Sequence, residues 1–150
     1  MNIIVAITNF PSIFPIYRSL VQNDFITSAC LVFVSTASFV SHLIENHKHG
    51  MTSMVSTQTS YLWNRVDVLG SMMIIVRLCY LHYHKYKLDV NIIVKNKSTF
   101  AMLLMPILFL RISEYDKYNA KLKNLYVVTH SIWHMSVFAS MYYYLDRFIY

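Results

Sequence analysis

Five apolar stretches, separated by short polar segments, dominate the hydrophobic pattern of this chain. An apolar run of roughly 20 residues is long enough to cross a bilayer as an α-helix. The pattern therefore predicts five transmembrane helices, at residues 3–20, 25–45, 66–83, 99–112 and 125–147. Asn9, Pro11 and Pro15 interrupt the first stretch, so we expect that helix to be kinked.

Two apolar segments are short for a membrane crossing. Residues 99–112 would form a helix of about 21 Å, against a hydrocarbon core of about 30 Å. Snorkelling of Lys97 and Arg111 to the interface could bring this helix to length. Residues 88–94 are too few to span, and they predict a re-entrant or interfacial segment.

The composition supports an all-α membrane fold. Of the 150 residues, 56% are hydrophobic and 13% are charged, and the mean hydropathy is +0.41, which is typical of a membrane protein. Two glycines and three prolines leave little scope for a turn-rich β fold. We predict a single domain over residues 1–150, a polytopic transmembrane helical bundle.

The net charge of +6 does not indicate a nucleic-acid partner. The Lys and Arg residues mostly flank the apolar stretches, where anionic lipid headgroups account for them equally well. We therefore expect an integral, multi-pass membrane protein whose partner is membrane lipid, and we expect no nucleic-acid binding.

Five polar residues lie within these apolar surroundings, and they are Ser38, His42, Asp67, His130 and His134. Ionisable side chains are costly in hydrocarbon and are usually functional there. Ser38 and His42 are four residues apart, as are His130 and His134, so each pair shares one face of a helix. Three histidines that converge, with a carboxylate nearby, are the components of a catalytic zinc site.

The helix count places these residues at one depth. With five helices, the second ends, and the third and fifth begin, on the same side of the membrane. His42 lies near the end of the second helix, Asp67 is expected to be the second residue of the third, and His130 and His134 lie in the first half of the fifth. The five residues are therefore predicted to meet near one membrane face.

The predicted chemistry is hydrolysis by a metal-activated water. His42, His130 and His134 would bind zinc, Asp67 would accept a proton from the water, and Ser38 would hydrogen-bond the water, Asp67 or a substrate oxyanion. Each residue alone has a simpler explanation: Ser38 as a packing serine, Asp67 as a helix-start residue and His42 as an interfacial residue.

Four other histidines are weaker candidates. His47 and His49 follow the second helix and are expected to be solvated, although either could substitute as a ligand. His82 and His84 are predicted to lie at the opposite membrane face, which excludes them from the site.

At Ser38, His42, Asp67, His130 and His134 the chain resembles the CREST superfamily of membrane proteins. This superfamily includes alkaline ceramidases, progesterone and adiponectin receptors, lipid-remodelling factors and myomaker-like proteins. Its shared pattern is Ser-x3-His at the end of the second core helix, Asp at the start of the third and His-x3-His in the last. The segment of residues 11–18 looks most like the myomaker-like branch.

The resemblance implies a zinc-dependent hydrolase, ceramidase-like or phospholipase-like, that cleaves an amide or ester bond of a lipid. The alternative is a non-catalytic receptor-like, structural or membrane-remodelling protein in which zinc staples helices together. The chain departs from the seven-helix family core, because the interval between Asp67 and His130 has room for about one helix. The cavity for a lipid chain that the resemblance implies would then lack part of its wall. A second copy of the chain, in a homo-oligomer, is one candidate to supply that part.

Overall fold

The computed structural model describes residues 3–44, 56–119 and 121–150. The secondary structure of these residues is helical, without a strand, which confirms the predicted all-α class. The helices are α1 (Ile3–Ile7), α2 (Ile13–Val21), α3 (Phe25–Ile44), α4 (Thr57–Tyr86), α5 (Val90–Lys95), α6 (Lys97–Tyr118) and α7 (Lys123–Tyr144). A 3-10 turn, Phe10–Ser12, joins α1 to α2, and a π-helical segment, Leu145–Ile149, follows α7.

The first predicted helix is broken where its sequence is interrupted. α1 ends at Ile7, and the 3-10 turn at Phe10–Ser12 begins directly after Asn9. Pro11 lies in that turn and Pro15 lies in the first turn of α2, where a missing backbone N–H is tolerated. The predicted kink is therefore a short helical break.

Two helices are longer than their apolar stretches predicted. α4 begins at Thr57, because the Ser56 hydroxyl accepts a hydrogen bond from the backbone N–H of Thr59 at 3.1 Å and caps the helix. Asp67 is therefore not the second residue of its helix but lies about 15 Å along it, at ~1.5 Å per residue. α6 has 22 residues, about 33 Å, so it needs no snorkelling to match a bilayer.

Within the described residues, four segments are long and apolar enough to cross a membrane: Ile3–Val21, Phe25–Ile44, Gln58–Tyr86 and Lys97–Tyr118. The fifth predicted span, α7, has 22 residues and contains His130 and His134, but it is not among these four segments. The short α5 corresponds to the predicted interfacial segment, and none of its residues is buried. Between α4 and α7 the chain forms one long helix, as the interval predicted.

The bundle consists of two helical pairs joined by the N-terminal segment. α3 packs against α4, α6 packs against α7, and α1 and α2 contact both α3 and α7. Buried apolar side chains from α3, α4 and the π-helical segment form the core, namely Leu31, Val34, Ile74 and Leu145. The outward sides of α4 and α6 are apolar and exposed, which is compatible with a membrane protein.

Two contacts fix the register of α3 against α4. A Cβ at Gly70 would lie 3.0 Å from the Cα of Val34, so the absence of a side chain allows the two backbones to approach closely. Seven residues further along α4, the Nε of Arg77 donates to the hydroxyl of Thr27, seven residues before Val34. The helices are therefore antiparallel, and Asp67 is level with Ala37, next to Ser38.

A polar cluster closes the opposite end of the bundle. The Asp24 carboxylate accepts hydrogen bonds from the backbone N–H of Thr27 at 3.0 Å, from Arg77 at 2.8 Å and from the Tyr150 hydroxyl at 3.1 Å. Burial raises the pKa of the Asp24 carboxyl, but these hydrogen bonds outweigh burial and hold the pKa below its usual 3.8. Asp24 thus caps α3 and ties it to α4 and to the C-terminal residue.

Asp24→Asn should destabilise the protein at neutral pH but have less effect in acid. Because the pKa of Asp24 is depressed in the folded state, the ionised carboxylate stabilises the fold above about pH 4, the unfolded-state pKa. That contribution is lost as the pH falls through the folded-state value. We expect Asp24→Asn to lower the Tm by roughly 5–10 °C at pH 7. The difference in Tm between the parent and this variant should become smaller below about pH 4.

Thermal unfolding of the detergent-purified protein over a pH series measures this difference. Asp146→Asn is the matched control, because Asp146 pairs with Arg18 at 2.8 Å with 35% of its side chain exposed. Asp146 is more exposed than Asp24, whose side chain is 12% exposed, and more exposed ion pairs contribute less, so this variant should lose less stability. Equal losses in the two variants would contradict the role assigned to Asp24.

Candidate metal centre

Three histidines meet in the interior of the bundle. His42 is in the last turn of α3, and His130 and His134 lie one turn apart on α7. Their exposed fractions are 5%, 4% and 1%, and one nitrogen from each lies within 4.8 Å of the others. The predicted convergence is therefore confirmed for these three residues, which are close enough to bind a metal ion.

The closest contact suits a shared metal ion. The Nε2 atoms of His42 and His130 are 3.2 Å apart. Tetrahedral zinc with bonds of about 2.0–2.1 Å places two ligand nitrogens about 3.3 Å apart. This pair of donors is therefore spaced as one metal ion requires.

A hydroxyl group from the N-terminal segment orients His134. The Oγ1 of Thr8 lies 3.0 Å from Nδ1 of His134 and donates its own proton to the carbonyl of Val5 at 2.6 Å. Since a hydroxyl carries one proton, Thr8 must accept from Nδ1–H of His134. The lone pair of His134 is then on Nε2, the nitrogen that lies 3.5 Å from the Ser38 hydroxyl.

His130 is oriented in the same way by α6. The Oγ of Ser113 lies 3.1 Å from Nδ1 of His130 and donates to the carbonyl of Leu110 at 2.8 Å. Ser113 therefore accepts from Nδ1–H, and the Nε2 lone pair of His130 faces His42. Metal-binding histidines commonly donate the other ring N–H to an oxygen, which fixes the tautomer and the ring orientation.

The break in the first helix positions Thr8. Thr8 follows the last residue of α1, and its backbone N–H still bonds to the carbonyl of Ile4 at 3.2 Å. Val5 and Ala6 are fully buried, so this end of the segment packs over the site. Aromatic rings cover His130 on α7, with ring centroids 4.8 Å away for Tyr126 and 4.7 Å for Trp133.

Sequence reasoning missed Thr8 and Ser113. Ser38 was selected because it lies one helical turn from His42 in the sequence, whereas neither Thr8 nor Ser113 has a histidine at that spacing. The same holds for Asp116 on α6, a carboxylate with 4% exposure that accepts a hydrogen bond from Thr129 at 2.9 Å. Which of these polar residues reach the histidines is decided by tertiary packing.

The remaining predicted residues lie at different distances from the histidines. Ser38 is buried beside His134. Asp67 is half-buried in α4, and the helix register places it level with the Ser38 turn of α3. Since Asp67 lies well inside α4, it is not a helix-start residue.

The excluded histidines are elsewhere in the bundle. The Nδ1 of His82 lies 2.7 Å from the hydroxyl of Tyr144, at the far end of α7, and His84 is exposed. Their exclusion from the histidine cluster is consistent with these positions. His47 and His49 lie outside the described residues.

These observations define a bundle of apolar helices with a buried three-histidine site. The chain is 53% identical, over 150 residues, to the uncharacterized protein L282 of Acanthamoeba polyphaga mimivirus, and the match covers 99% of each chain. The chain belongs to the family of this viral protein. No protein-family model matches the chain, and no solved structure matches it.

Thr8→Val should weaken metal binding without removing a ligand. Loss of the oxygen that accepts from Nδ1–H frees the His134 ring to rotate, and loss of such a partner typically costs 10–100-fold in metal affinity. Competition with a chromophoric chelator measures this affinity. Thr8→Ser keeps the hydroxyl and should bind metal as the parent does, whereas unchanged affinity in Thr8→Val would contradict the orienting role.

Proposed function

We propose that this chain is a multi-pass membrane protein that binds one zinc ion through His42, His130 and His134 and hydrolyses an amide or ester bond in a membrane lipid. The observation that carries the proposal is the convergence of three buried histidines, two of which are oriented by hydroxyl groups at Nδ1 so that their Nε2 atoms face the cluster. Zinc prefers such neutral imidazole ligands.

The donor set favours catalysis. Catalytic zinc sites typically use three protein ligands and keep one position for water, whereas structural sites use four. Zinc held by three histidines would lower the pKa of a bound water to about 7 and polarise a carbonyl group. The described residues supply three histidines to the cluster, with the Ser38 hydroxyl 3.5 Å from His134.

Asp67 and Ser38 have distinct roles in this proposal. Asp67, level with Ser38 on the facing helix, would accept the proton of the attacking water and return it to the leaving group. The Ser38 hydroxyl would donate a hydrogen bond to the oxygen of the scissile carbonyl as negative charge develops there. The roles follow the resemblance to the CREST superfamily at the same residues.

A lipid substrate is supported by the surface of the bundle. The outward sides of α4 and α6 expose large apolar side chains that suit acyl chains better than water. The described residues contain four segments long and apolar enough to cross a membrane, fewer than the seven of the family core. The exposed sides of α4 and α6 therefore also leave room for a second copy of the chain to complete the wall of a lipid cavity.

A structural zinc site is the second candidate function. His42 belongs to the α3–α4 pair and His130 and His134 belong to the α6–α7 pair, so an ion here would join the two halves of the bundle. Metal binding would then stabilise the fold without catalysis. The two candidates differ in whether zinc-loaded protein cleaves lipid.

The purified protein should contain about one zinc per chain, and His42→Ala or His130→Ala should remove it. Each variant leaves two ligands, too few to retain the ion through purification. Elemental analysis by mass spectrometry measures the zinc content. His84→Ala is the matched control, because His84 is exposed and distant from the cluster, and full zinc retention in both ligand variants would reject these residues as ligands.

Asp67→Asn should keep the zinc but lower the rate of lipid hydrolysis by about 10²–10⁴-fold, because an amide cannot take up the proton of the attacking water. The measurement is the release of fatty acid from a panel of amide and ester lipids, with zinc content determined on the same sample. Asp116→Asn removes a buried carboxylate outside the cluster and should leave hydrolysis intact. Loss of zinc in Asp67→Asn would instead make Asp67 a structural residue.

A further inference from the structure

A groove lies beside the metal centre, between the break in the N-terminal helix and α3. Its volume is about 200 Å³, and it is lined by Asn9, Phe10, Ser12, Ser35, Thr36 and Phe39. Pockets that enclose a whole drug-sized ligand are usually larger, roughly 300–1,000 Å³. The groove is therefore suited to one part of a larger molecule.

Asn9 is the unusual residue of this groove. It is only 3% exposed, and its Nδ2 donates to the carbonyl of Ala6 at 3.2 Å, which fixes the orientation of the amide. Among the residues that the structure describes, the buried Oδ1 has no hydrogen-bond donor. Buried acceptors are nearly always satisfied, because an unsatisfied one is costly.

The groove is also lined by three hydroxyl groups, those of Ser12, Ser35 and Thr36. The hydroxyl of Ser35 donates to the carbonyl of Leu31 at 2.7 Å. The rings of Phe10 and Phe39, with centroids 6.2 Å apart, supply apolar surface. The groove therefore combines an apolar lining with one acceptor that requires a donor.

The groove is next to the histidine cluster along two chain segments. Asn9 follows Thr8, which bonds His134, and Phe39 follows Ser38, which lies against the same ring. On α3, Ser35 and Phe39 are one helical turn apart, and Phe39 is three residues before His42. A molecule in the groove would thus lie on the membrane-centre side of the site.

We propose that this groove receives the part of a lipid that carries a hydrogen-bond donor, a free hydroxyl or an amide N–H, and that Asn9 Oδ1 accepts that hydrogen bond. This inference rests on the proposed function in that the same lipid places its scissile bond at the metal centre. Asn9 is then a specificity-determining residue, and lipids with every oxygen esterified and no N–H are disfavoured.

Two pairs of lipids test the proposal, each with matched acyl chains. One pair is a diacylglycerol and its methyl ether, and the other is an N-acyl amide and its N-methyl derivative. Equilibrium binding of the radiolabelled lipids to the full chain in detergent micelles is the measurement. We expect the parent to prefer the donor-bearing member of at least one pair by about tenfold, the equivalent of one hydrogen bond. The pair that shows the preference identifies the donor.

Asn9→Leu should bind both members of that pair equally, because leucine has similar size and no acceptor. Ser35→Ala, which removes a hydroxyl already satisfied within α3, should keep the preference. A preference retained in Asn9→Leu, or absent from the parent in both pairs, would overturn the proposal. If Asn9→Leu does not fold, Thr36→Phe tests the groove by partly filling it at an exposed position, and unchanged lipid binding would overturn the proposal.

The failure of this inference is distinguishable from failure of the proposed hydrolysis. A donor preference that depends on Asn9 in a protein that cleaves no lipid would support the groove and reject the enzyme. Zinc-dependent cleavage without any donor preference would support the enzyme and reject the groove.

Discussion

Each ring nitrogen of a buried imidazole needs a hydrogen-bond partner or a metal ion, and this requirement determines which polar groups surround the histidines in the bundle. Water is scarce among apolar helices, so the protein itself supplies a partner for each Nδ1–H. Thr8 accepts a hydrogen bond from His134 and Ser113 accepts one from His130, and each hydroxyl donates its own hydrogen bond to a backbone carbonyl three residues earlier. The Nε2 atoms then face His42 and Ser38 in the cluster.

The break in the N-terminal segment, where Asn9, Pro11 and Pro15 interrupt the apolar sequence, helps to place Thr8 beside His134. A continuous helix over residues 3–21 would keep its side chains on a regular spiral. The 3-10 turn at Phe10–Ser12 instead separates α1, which covers the histidines, from α2, which packs between α3 and α7. The same break forms the groove beside Asn9. One irregular turn therefore positions both the Thr8 hydroxyl that orients His134 and the Asn9 amide that lines the groove.

The hydrophobic pattern predicted much of the fold, because the length of an apolar stretch limits the helix that it can form. Three features were predictable: the order of the helices, the break in the first apolar stretch, and the convergence of His42 with His130 and His134. The convergence was predictable because the number of predicted crossings places these three histidines near the same membrane face. The start of α4 was not predictable, because Tyr61, Asn64 and Arg65 give its first turns a polar sequence. The helix begins there because the Ser56 hydroxyl caps it. Asp67 was consequently assigned to the wrong part of its helix. Thr8 and Ser113 were not predictable, because their partners are set by packing between helices that are distant in sequence.

The contact between Thr8 and His134 spans 126 residues, and that between His42 and His130 spans 88. During synthesis α1 leaves the ribosome long before α7, so Thr8 cannot contact His134 until the five helices α2 to α6 have been made. The three-histidine cluster can form only after α7 has been released and packed against the other helices. Any metal ion that the cluster binds would therefore be captured late in biogenesis, and only by chains that include α7.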